Sequence, residues 1–319
     1  MSQVPIKSLG SLETACVRTP ESCFDLVPDF AYLPNYEASL PSFGAMRMAY
    51  IDEPPLHKAN GRIALCLHGE PSWSFLYRKM IEPLRAAGYR VIAPDLFGFG
   101  RSDKPVNADW YQFESHRTSL LELIENLGLT NITLIVQDWG GLLGLTLPHE
   151  MADRFSQLLV MNTTLATGDV PLSEGFIAWR NYMSKANNFD CSKLFQRACP
   201  QLSLAQAQAY SAPFHTPESL SGVLRFPALV PEFKDSSGAL ISRQARSFWQ
   251  EQWQGQSFMA IGMADPVLGP TVMSALRKLI RGCPEPLQLT EAGHFVQEWE
   301  TSNGIVGDSI IATALDQWA

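Results

Sequence analysis

Long apolar runs, basic tracts and closely spaced cysteines are all absent from this sequence of 319 residues. No apolar run approaches the ~20 residues of a membrane-spanning helix, and Met1 to Lys7 lack the apolar segment of a signal peptide. We therefore expect no membrane association and a cytoplasmic location. The formal charge of −8 comes without a basic patch, which excludes the usual electrostatic basis for binding nucleic acid.

The six cysteines lack the short paired spacings of a zinc site or a redox pair. We expect them to be reduced packing residues, and we expect neither a metal nor an organic cofactor. A composition that is 46% apolar and 18% charged is ordinary for a globular protein with a sizeable core. The cysteines are Cys16, Cys23, Cys66, Cys191, Cys199 and Cys283.

Short apolar runs alternate with longer helical patterns along much of the chain. This alternation predicts an α/β fold, with a mainly parallel sheet flanked by helices. A helix is expected over Phe113 to Leu127, ended by Gly128, and an outer strand over Met46 to Ile51. The predicted inner strands are Ile63 to Leu67, Arg90 to Ala93, Ile132 to Val136, Leu158 to Met161, Phe258 to Ile261 and Pro286 to Leu289.

The alternation stops between residues 166 and 236, where proline and glycine separate short aromatic and amphipathic pieces. We interpret this stretch as a helical cap inserted between two strands of one sheet. The expected organisation is a main domain formed by residues 1–165 and 237–319, with the cap at 166–236. Two independent consecutive domains fit less well, because the tail after Phe258 is too short to form its own core.

One turn carries a carboxylate at the position of a nucleophile. The strand that ends at Val136 is followed by Gln137-Asp138-Trp139-Gly140-Gly141 and then by an apolar helical pattern, which is the layout of a nucleophile elbow. A serine there needs a base before it can attack, whereas an aspartate is already an anion at neutral pH. Asp138 can therefore attack directly.

Three other loops follow predicted strands and supply the remaining parts of a hydrolytic site. Asp265 and His294 come after the two last strands, so that nucleophile, acid and histidine occur in the order of the α/β-hydrolase triad. The loop after the first inner strand contains Glu70. Its backbone N–H, with that of Trp139, is suited to form an oxyanion hole.

With these motifs, and with the stretch from Asp95 to Pro105, the chain resembles the haloalkane dehalogenases of the α/β-hydrolase superfamily. The resemblance runs from about Phe30 to Trp299 and is closest to the subfamily with an Asp-His-Asp triad and two halide-binding tryptophans. It implies the α/β-hydrolase fold with a helical cap, and hydrolysis of a haloalkane to a primary alcohol, halide and a proton. An alkyl ester on Asp138 would be the intermediate, and His294 would activate the water that hydrolyses it.

The resemblance also implies how the leaving halide is held. Indole N–H groups are uncharged donors on rigid apolar bodies, so they stabilise a halide without trapping it. Trp139 is the first candidate and Trp179, in the cap, the second. A related group of dehalogenases has an asparagine at the position of Glu70, and an ionised glutamate cannot donate a hydrogen bond. This difference favours Trp179.

The expected partners are a small haloalkane and a halide ion, and the chain is expected to be a monomer. The substrate preference of known family members is a poor guide to that of this chain, because the stretch from Asn162 to Trp179 is shorter than in well-known members of this group. The apolar lining is expected to come from the cap and from the edge of the sheet. The candidate lining residues are Leu142, Phe176, Phe226, Pro227, Val230 and Leu268.

Two alternatives remain open on the sequence alone. An epoxide hydrolase has the same aspartate nucleophile but needs O–H donors, and Tyr182 and Tyr210 lie in the cap region. A ligand-binding receptor on the same fold would tolerate loss of the triad, of which all three members are present here.

Overall fold

The computed structural model describes residues 14–186, 189–301 and 304–319. Its strands are β1 (Cys16–Val17), β2 (Asn35–Glu37), β3 (Met48–Glu53), β4 (Ile63–Leu67), β5 (Arg90–Pro94), β6 (Lys104–Pro105), β7 (Ile132–Gln137), β8 (Phe155–Met161), β9 (Gln256–Gly262), β10 (Leu287–Leu289), β11 (Glu300–Thr301) and β12 (Gly304–Ile305). Its α-helices are α1 (Arg78–Ala86), α2 (Phe113–Asn126), α3 (Trp139–Gly144), α4 (Glu174–Met183), α5 (Cys191–Ala198), α6 (Leu204–Ala209), α7 (Ser221–Arg225), α8 (Ala239–Ser247), α9 (Pro270–Leu279) and α10 (Val306–Trp318).

Within these residues, eight strands form one sheet in the order β10-β9-β8-β7-β4-β5-β3-β2. The six strands from β10 to β5 are parallel, whereas β3 pairs with β5 and β2 with β3 in antiparallel fashion. The predicted α/β fold with a mainly parallel sheet is therefore confirmed. The carboxyl ends of β4, β7, β8, β9 and β10 lie at one edge of this sheet.

The central strands β4, β7, β8 and β9 are mostly apolar and almost entirely buried, as expected of a parallel sheet with helices on both faces. In β7 every residue is buried, and in β4 all but the first. The predicted strands at β4, β5, β7, β8, β9 and β10 are confirmed, with ends that differ by at most three residues. The outer strand runs from Met48 to Glu53, two residues later than predicted.

Helix α2 ends at Asn126, one residue before the predicted end. Gly128 has a φ of +60° just beyond it, which is the left-handed conformation that glycine adopts most easily at a helix end. The position of this helix and its glycine stop therefore agree with the sequence pattern.

Four helices, α4 to α7, lie within residues 166–236, where the sequence pattern predicts a helical insertion, and α8 follows before β9. They contact the main domain closely: a Cβ on Gly175 of α4 would lie 2.4 Å from the carbonyl oxygen of Pro266. We refer to residues 166–236 as the cap. These boundaries, and the division of the chain into domains, stay a prediction.

Residues 14–37, for which the sequence pattern gave no structure, form β1, β2 and a 3-10 turn between them. Strand β1 pairs with β6, and β2 extends the sheet beyond β3. All six cysteines lie in the described part of the chain and are free thiols, as predicted. None of the described helices is both long enough and apolar enough to cross a bilayer.

Candidate active site

Asp138 follows the last residue of β7 in a strained turn. Its φ of 51° and ψ of −127° are unusual for a residue with a side chain, and neighbours hold the turn from both sides. The Asp138 N–H donates to the Asn162 carbonyl at 3.0 Å, and the Thr163 hydroxyl donates to the Asp138 carbonyl at 2.6 Å. A Cβ on Gly140 would lie 1.9 Å from the Leu67 carbonyl oxygen, so the helix can approach β4 only with glycine there. This is the geometry of a nucleophile elbow.

The structure brings the three predicted triad residues together. Nε2 of His294 lies 3.3 Å from Oδ2 of Asp138, and Nδ1 lies 2.7 Å from Oδ2 of Asp265. The other Asp265 oxygen accepts the backbone N–H groups of Val267 and Leu268 at 2.8 and 3.1 Å. Asp265 is thus fixed as an acceptor for the imidazole, and the imidazole bridges the two carboxylates.

The protonation of the histidine follows from these neighbours. Burial opposes a positive charge on the His294 ring, but Asp265 and Asp138 outweigh it and raise the pKa of His294 to about 10. For Asp265, burial favours the neutral acid, yet His294 and the N–H donors lower its pKa to about 2. While both carboxylates are ionised, His294 is therefore an imidazolium at neutral pH.

The loop after β4 brings the backbone of Glu70 to the nucleophile. The Glu70 N–H donates to Oδ1 of Asp138 at 2.9 Å, and a Cβ on Gly69 would lie 2.2 Å from the same oxygen. His68 is fully buried and fixes the loop, since its Nε2 accepts the Leu96 N–H and its Nδ1 lies 2.9 Å from the Gly69 carbonyl. One of the two predicted oxyanion donors therefore points at the Asp138 carboxylate.

The Glu70 side chain differs from the form assumed in the sequence argument. Burial raises the pKa of its carboxyl well above the usual value, Asp138 raises it further, and a hydrogen bond with Trp179 offsets only part of this rise. This shift favours the neutral carboxyl, which can donate a hydrogen bond, over the carboxylate, which cannot. The inability of an ionised Glu70 to donate is therefore a weaker reason to favour Trp179 than it is from the sequence alone. Trp179 is also supported by its contact with Glu70.

The two candidate halide residues approach the site from different sides. Trp139 is buried at the start of α3, directly after Asp138. Trp179 lies on α4 of the cap, half-buried, and interacts with Glu70, whose backbone holds Asp138. One candidate indole thus belongs to the main domain and directly follows Asp138, and the other belongs to the cap and interacts with Glu70.

The six candidate lining residues differ in whether they contact Trp139 or a member of the triad directly. The ring of Phe226 packs 4.7 Å from that of Trp139, Leu142 follows on α3, and the Leu268 N–H binds Asp265. Pro227 and Val230 are buried in the same cap segment as Phe226, and Phe176 is partly buried on α4. Their role as substrate lining stays a prediction.

Two further residues hold the triad and were not predicted from the sequence. Asn162, directly after β8, donates to Oδ2 of Asp265 at 2.9 Å and is bonded to the backbone of Gly262. Nε2 of Gln137, the last residue of β7, lies 3.0 Å from His294 Nε2 and donates to the His294 carbonyl. Both residues lie at the carboxyl ends of inner strands, and these ends converge at the site. Their positions in the sequence could therefore have indicated a role there.

The two cap tyrosines are not arranged as a pair of donors to a substrate. The Tyr210 hydroxyl is buried and donates to Glu298, and Tyr182 is 61% exposed. The observation that raised an epoxide hydrolase as an alternative therefore loses its support. Among the described residues, no group of three or more histidine, cysteine or carboxylate side chains is placed to hold a metal ion.

Comparisons with known proteins agree with this geometry. Residues 65–301 match the family model of the α/β-hydrolase fold. The chain is 40% identical over 290 residues to a haloalkane dehalogenase of Psychrobacter cryohalolentis, covering 88% of this chain and 93% of the relative. It is 36% identical to haloalkane dehalogenase 1 of Mycobacterium tuberculosis, again covering 88% of this chain and 93% of the relative.

A solved structure is also similar to this chain, over nearly its full length. The tetrameric haloalkane dehalogenase of Paraglaciecola agarilytica superposes with a TM-score of 0.90 at 46% identity, covering 96% of this chain and 99% of that one. Together with its hydrolase fold, these similarities place the molecule among enzymes. The chain belongs to the haloalkane dehalogenase family of α/β-hydrolases.

Proposed function

We propose that this enzyme hydrolyses haloalkanes to a primary alcohol, halide and a proton, through an alkyl ester on Asp138. The observation that carries the proposal is the arrangement around one carboxylate. Oδ1 of Asp138 accepts the Glu70 N–H at 2.9 Å, and Oδ2 lies 3.3 Å from His294. A carboxylate held between an N–H donor and a histidine fits a nucleophile whose ester is later hydrolysed.

In the first half of the reaction, an Asp138 oxygen attacks the carbon that bears the halogen. The carbon–halogen bond breaks with its electron pair, and the halide leaves as an anion. Trp139 and Trp179 receive it with their indole N–H groups, which donate without carrying a charge. No base is needed for this step, because Asp138 is an anion from the start.

In the second half, His294 removes a proton from water, which attacks the carbonyl carbon of the ester. Esterification removes the negative charge of Asp138, and this charge is one of the groups that raise the pKa of His294 to about 10. The pKa of His294 therefore falls when the ester forms, and the imidazole becomes a base for this step. Asp265 holds the Nδ1 proton, and the N–H groups of Glu70 and Trp139 stabilise the oxyanion.

A small haloalkane fits the apolar side chains proposed to line the site, with the halogen directed at the two indoles. We propose that Phe226, beside Trp139, and Leu268, beside Asp265, contact the alkyl chain from opposite sides. Burial raises the pKa of the Glu70 carboxyl, which disfavours a negative charge that would repel the halide.

The most direct test is halide release from short and long 1-chloroalkanes and 1-bromoalkanes, with a few epoxides in parallel. Release of halide with an equal amount of alcohol is expected, and it should be lost in Asp138→Asn. Hydration of the epoxides without halide release from any haloalkane would overturn the proposal.

Oligomeric state and location stay predictions. The expected monomer contrasts with the tetramer formed by the relative from Paraglaciecola agarilytica. Light scattering of the purified enzyme at several concentrations measures the mass in solution directly. A constant mass near 35.4 kDa would support a monomer, and a mass near four times this value would contradict it.

A further inference from the structure

A buried ionic cluster includes a residue of the loop that carries His294. This cluster is not part of the site described above. Glu298 has no exposed side-chain surface, and its Oε2 accepts Nη2 of Arg78 at 2.7 Å. Its Oε1 accepts both Nη1 of Arg78 and the hydroxyl of Tyr210. We call these three residues the Glu298 cluster.

The three members come from three parts of the chain. Arg78 begins α1 of the main domain, and Tyr210 directly follows α6 in the cap. Glu298 ends the 3-10 turn Val296–Glu298, four residues after His294. The cluster therefore joins the cap, the main domain and the loop that carries the histidine.

The backbone of the same residue is held in a similar way. The Glu298 carbonyl accepts Nζ of Lys79 from α1 at 3.1 Å and Nε2 of Gln201 from the cap at 3.3 Å. Side chain and backbone at this position are thus each bonded to both the main domain and the cap.

A stack of aromatic rings runs beside the cluster toward the histidine. The ring of Phe195, on α5 of the cap, stacks on Tyr210 at 3.4 Å between centroids and on Phe295 at 4.2 Å. The Phe295 ring lies edge-on to the imidazole of His294 at 4.8 Å. The cap therefore contacts the histidine loop at Glu298 and at Phe295.

The chemistry of the cluster suits a positioning role. Burial, and then Glu298, raise the pKa of Tyr210 well above its usual value, so its hydroxyl stays a donor. Burial opposes the charge of Arg78, but Glu298 and Tyr210 raise its pKa above the usual value, so the guanidinium stays charged. A buried ion pair contributes little net stability compared with apolar residues, but its directional bonds fix the positions of its members.

We propose that the Glu298 cluster positions His294 for hydrolysis of the alkyl ester, so that docking of the cap sets the rate of the second half of the reaction. The inference rests on the proposed function, in which His294 acts only after the halide has left. Asp138, Trp139 and Trp179 carry out the first half without the histidine loop. A displaced loop therefore slows hydrolysis of the ester and leaves its formation unchanged.

Tyr210→Phe tests this inference because it removes one hydroxyl and keeps the stacked ring. Rapid mixing with a 1-bromoalkane, acid quenching and intact mass measure the two steps separately. We expect the rate of ester hydrolysis to fall by about tenfold, with ester formation within about twofold of the parent rate. The fraction of enzyme carrying the alkyl group at steady state should rise accordingly.

Tyr32→Phe is the matched control. The Tyr32 hydroxyl also donates to a glutamate, Glu82 at 3.0 Å, but this pair is exposed and lies outside the histidine loop. Its two rates should equal those of the parent enzyme. Phe195→Leu is a second variant that removes the aromatic link, and it should slow hydrolysis selectively as well.

Equal slowing of both steps in Tyr210→Phe and Phe195→Leu, or parent rates in both, would overturn the inference. If Tyr210→Phe does not fold, Phe195→Leu decides alone. His294→Gln, measured in parallel, distinguishes a wrong role for the Glu298 cluster from a wrong proposed function. Ester accumulation in His294→Gln, with parent rates in the other two variants, would refute only the role of the Glu298 cluster.

Discussion

Nε2 of His294 lies 3.3 Å from Oδ2 of Asp138, the carboxylate proposed to attack the substrate. The proposed base of the second step is therefore paired with the proposed nucleophile of the first. Burial opposes the charge on the ring, but Asp265 and Asp138 together raise the pKa of His294 to about 10. This pairing makes the protonation of the histidine depend on whether Asp138 is free or esterified.

The two chemical steps should respond differently to pH. Ester hydrolysis needs neutral His294, so its rate should rise with pH, with a midpoint below the pKa of about 10 expected for the free enzyme. Ester formation uses no base, so between pH ~7 and ~9 its rate should change far less than the rate of hydrolysis. Rapid-quench measurements of both rates across this range check the prediction. A midpoint for hydrolysis equal to that of the free enzyme would show that esterification does not affect the histidine.

The raised pKa of His294 should also make the free energy of unfolding fall with pH, whereas the rate of ester hydrolysis should rise with pH. Because the pKa of His294 is raised on folding, its contribution is fully present below about pH 6.5 and is lost as pH rises toward about 10. Denaturant unfolding at several pH values should show a smaller decline in this window for His294→Gln than for the parent.

The comparison with the variant is necessary because another group acts in the same window. Lys104 is buried, and burial lowers its pKa to about 7, so its contribution to stability rises with pH. The difference between parent and His294→Gln removes this shared effect. An unchanged pH dependence in the variant would contradict the raised pKa of the histidine.

Asp265→Asn should slow ester hydrolysis far more than ester formation. The change removes the charge that holds the Nδ1 proton and leaves the side chain nearly the same size. In serine hydrolases the corresponding change costs about 10⁴-fold, and we expect a loss of hydrolysis between about 10³-fold and 10⁴-fold. Single-turnover mass measurements follow the ester directly.

Asp169→Asn is a matched control for this variant. Asp169 is also paired with a cation, Arg246 at 2.9 Å, and hydrogen bonds from Arg246 and Thr167 lower its pKa to about 2. It belongs to an ion pair separate from the triad, so turnover should be close to that of the parent. Equal losses in the two variants would indicate a general effect of removing a charge.

Trp179→Phe should weaken halide binding. One indole donor is lost while an aromatic ring remains, which corresponds to about a tenfold rise in the Kd for bromide. Quenching of tryptophan fluorescence by bromide measures this constant. Trp253→Phe is the control, because the Trp253 indole donates to Ser257 in the core and should be insensitive to the ion. Unchanged bromide affinity in Trp179→Phe would remove this residue from the halide site.

The inner sheet could be predicted because its strands are continuous apolar runs between turn residues. β4 is apolar along its full length, and β7 is interrupted only by Thr133 before it ends at Gln137. β2 could not be predicted in this way, because Asn35 is exposed, Tyr36 and Glu37 are only partly buried, and the strand is specified by pairing with β3. Such a short strand depends on a partner distant in sequence rather than on its own pattern.

The positions of the candidate catalytic groups could be predicted from motifs, but their electrostatics could not. Asp138 and His294 follow strands and stand in a known order, whereas the raised pKa of Glu70 depends on its burial in the folded protein. The contact between Arg78 and Glu298 joins residues 220 positions apart, and no local pattern predicts it. Distances of this kind are set by the packing of the whole domain.

Intact mass of His294→Gln after exposure to a 1-bromoalkane tests the central claim most directly. If Asp138 attacks carbon and His294 serves only to hydrolyse the ester, the protein should gain the mass of one alkyl group. This gain should be absent from the double variant Asp138→Asn, His294→Gln. An unchanged mass in His294→Gln, with a substrate from which the parent enzyme releases bromide, would contradict the covalent mechanism.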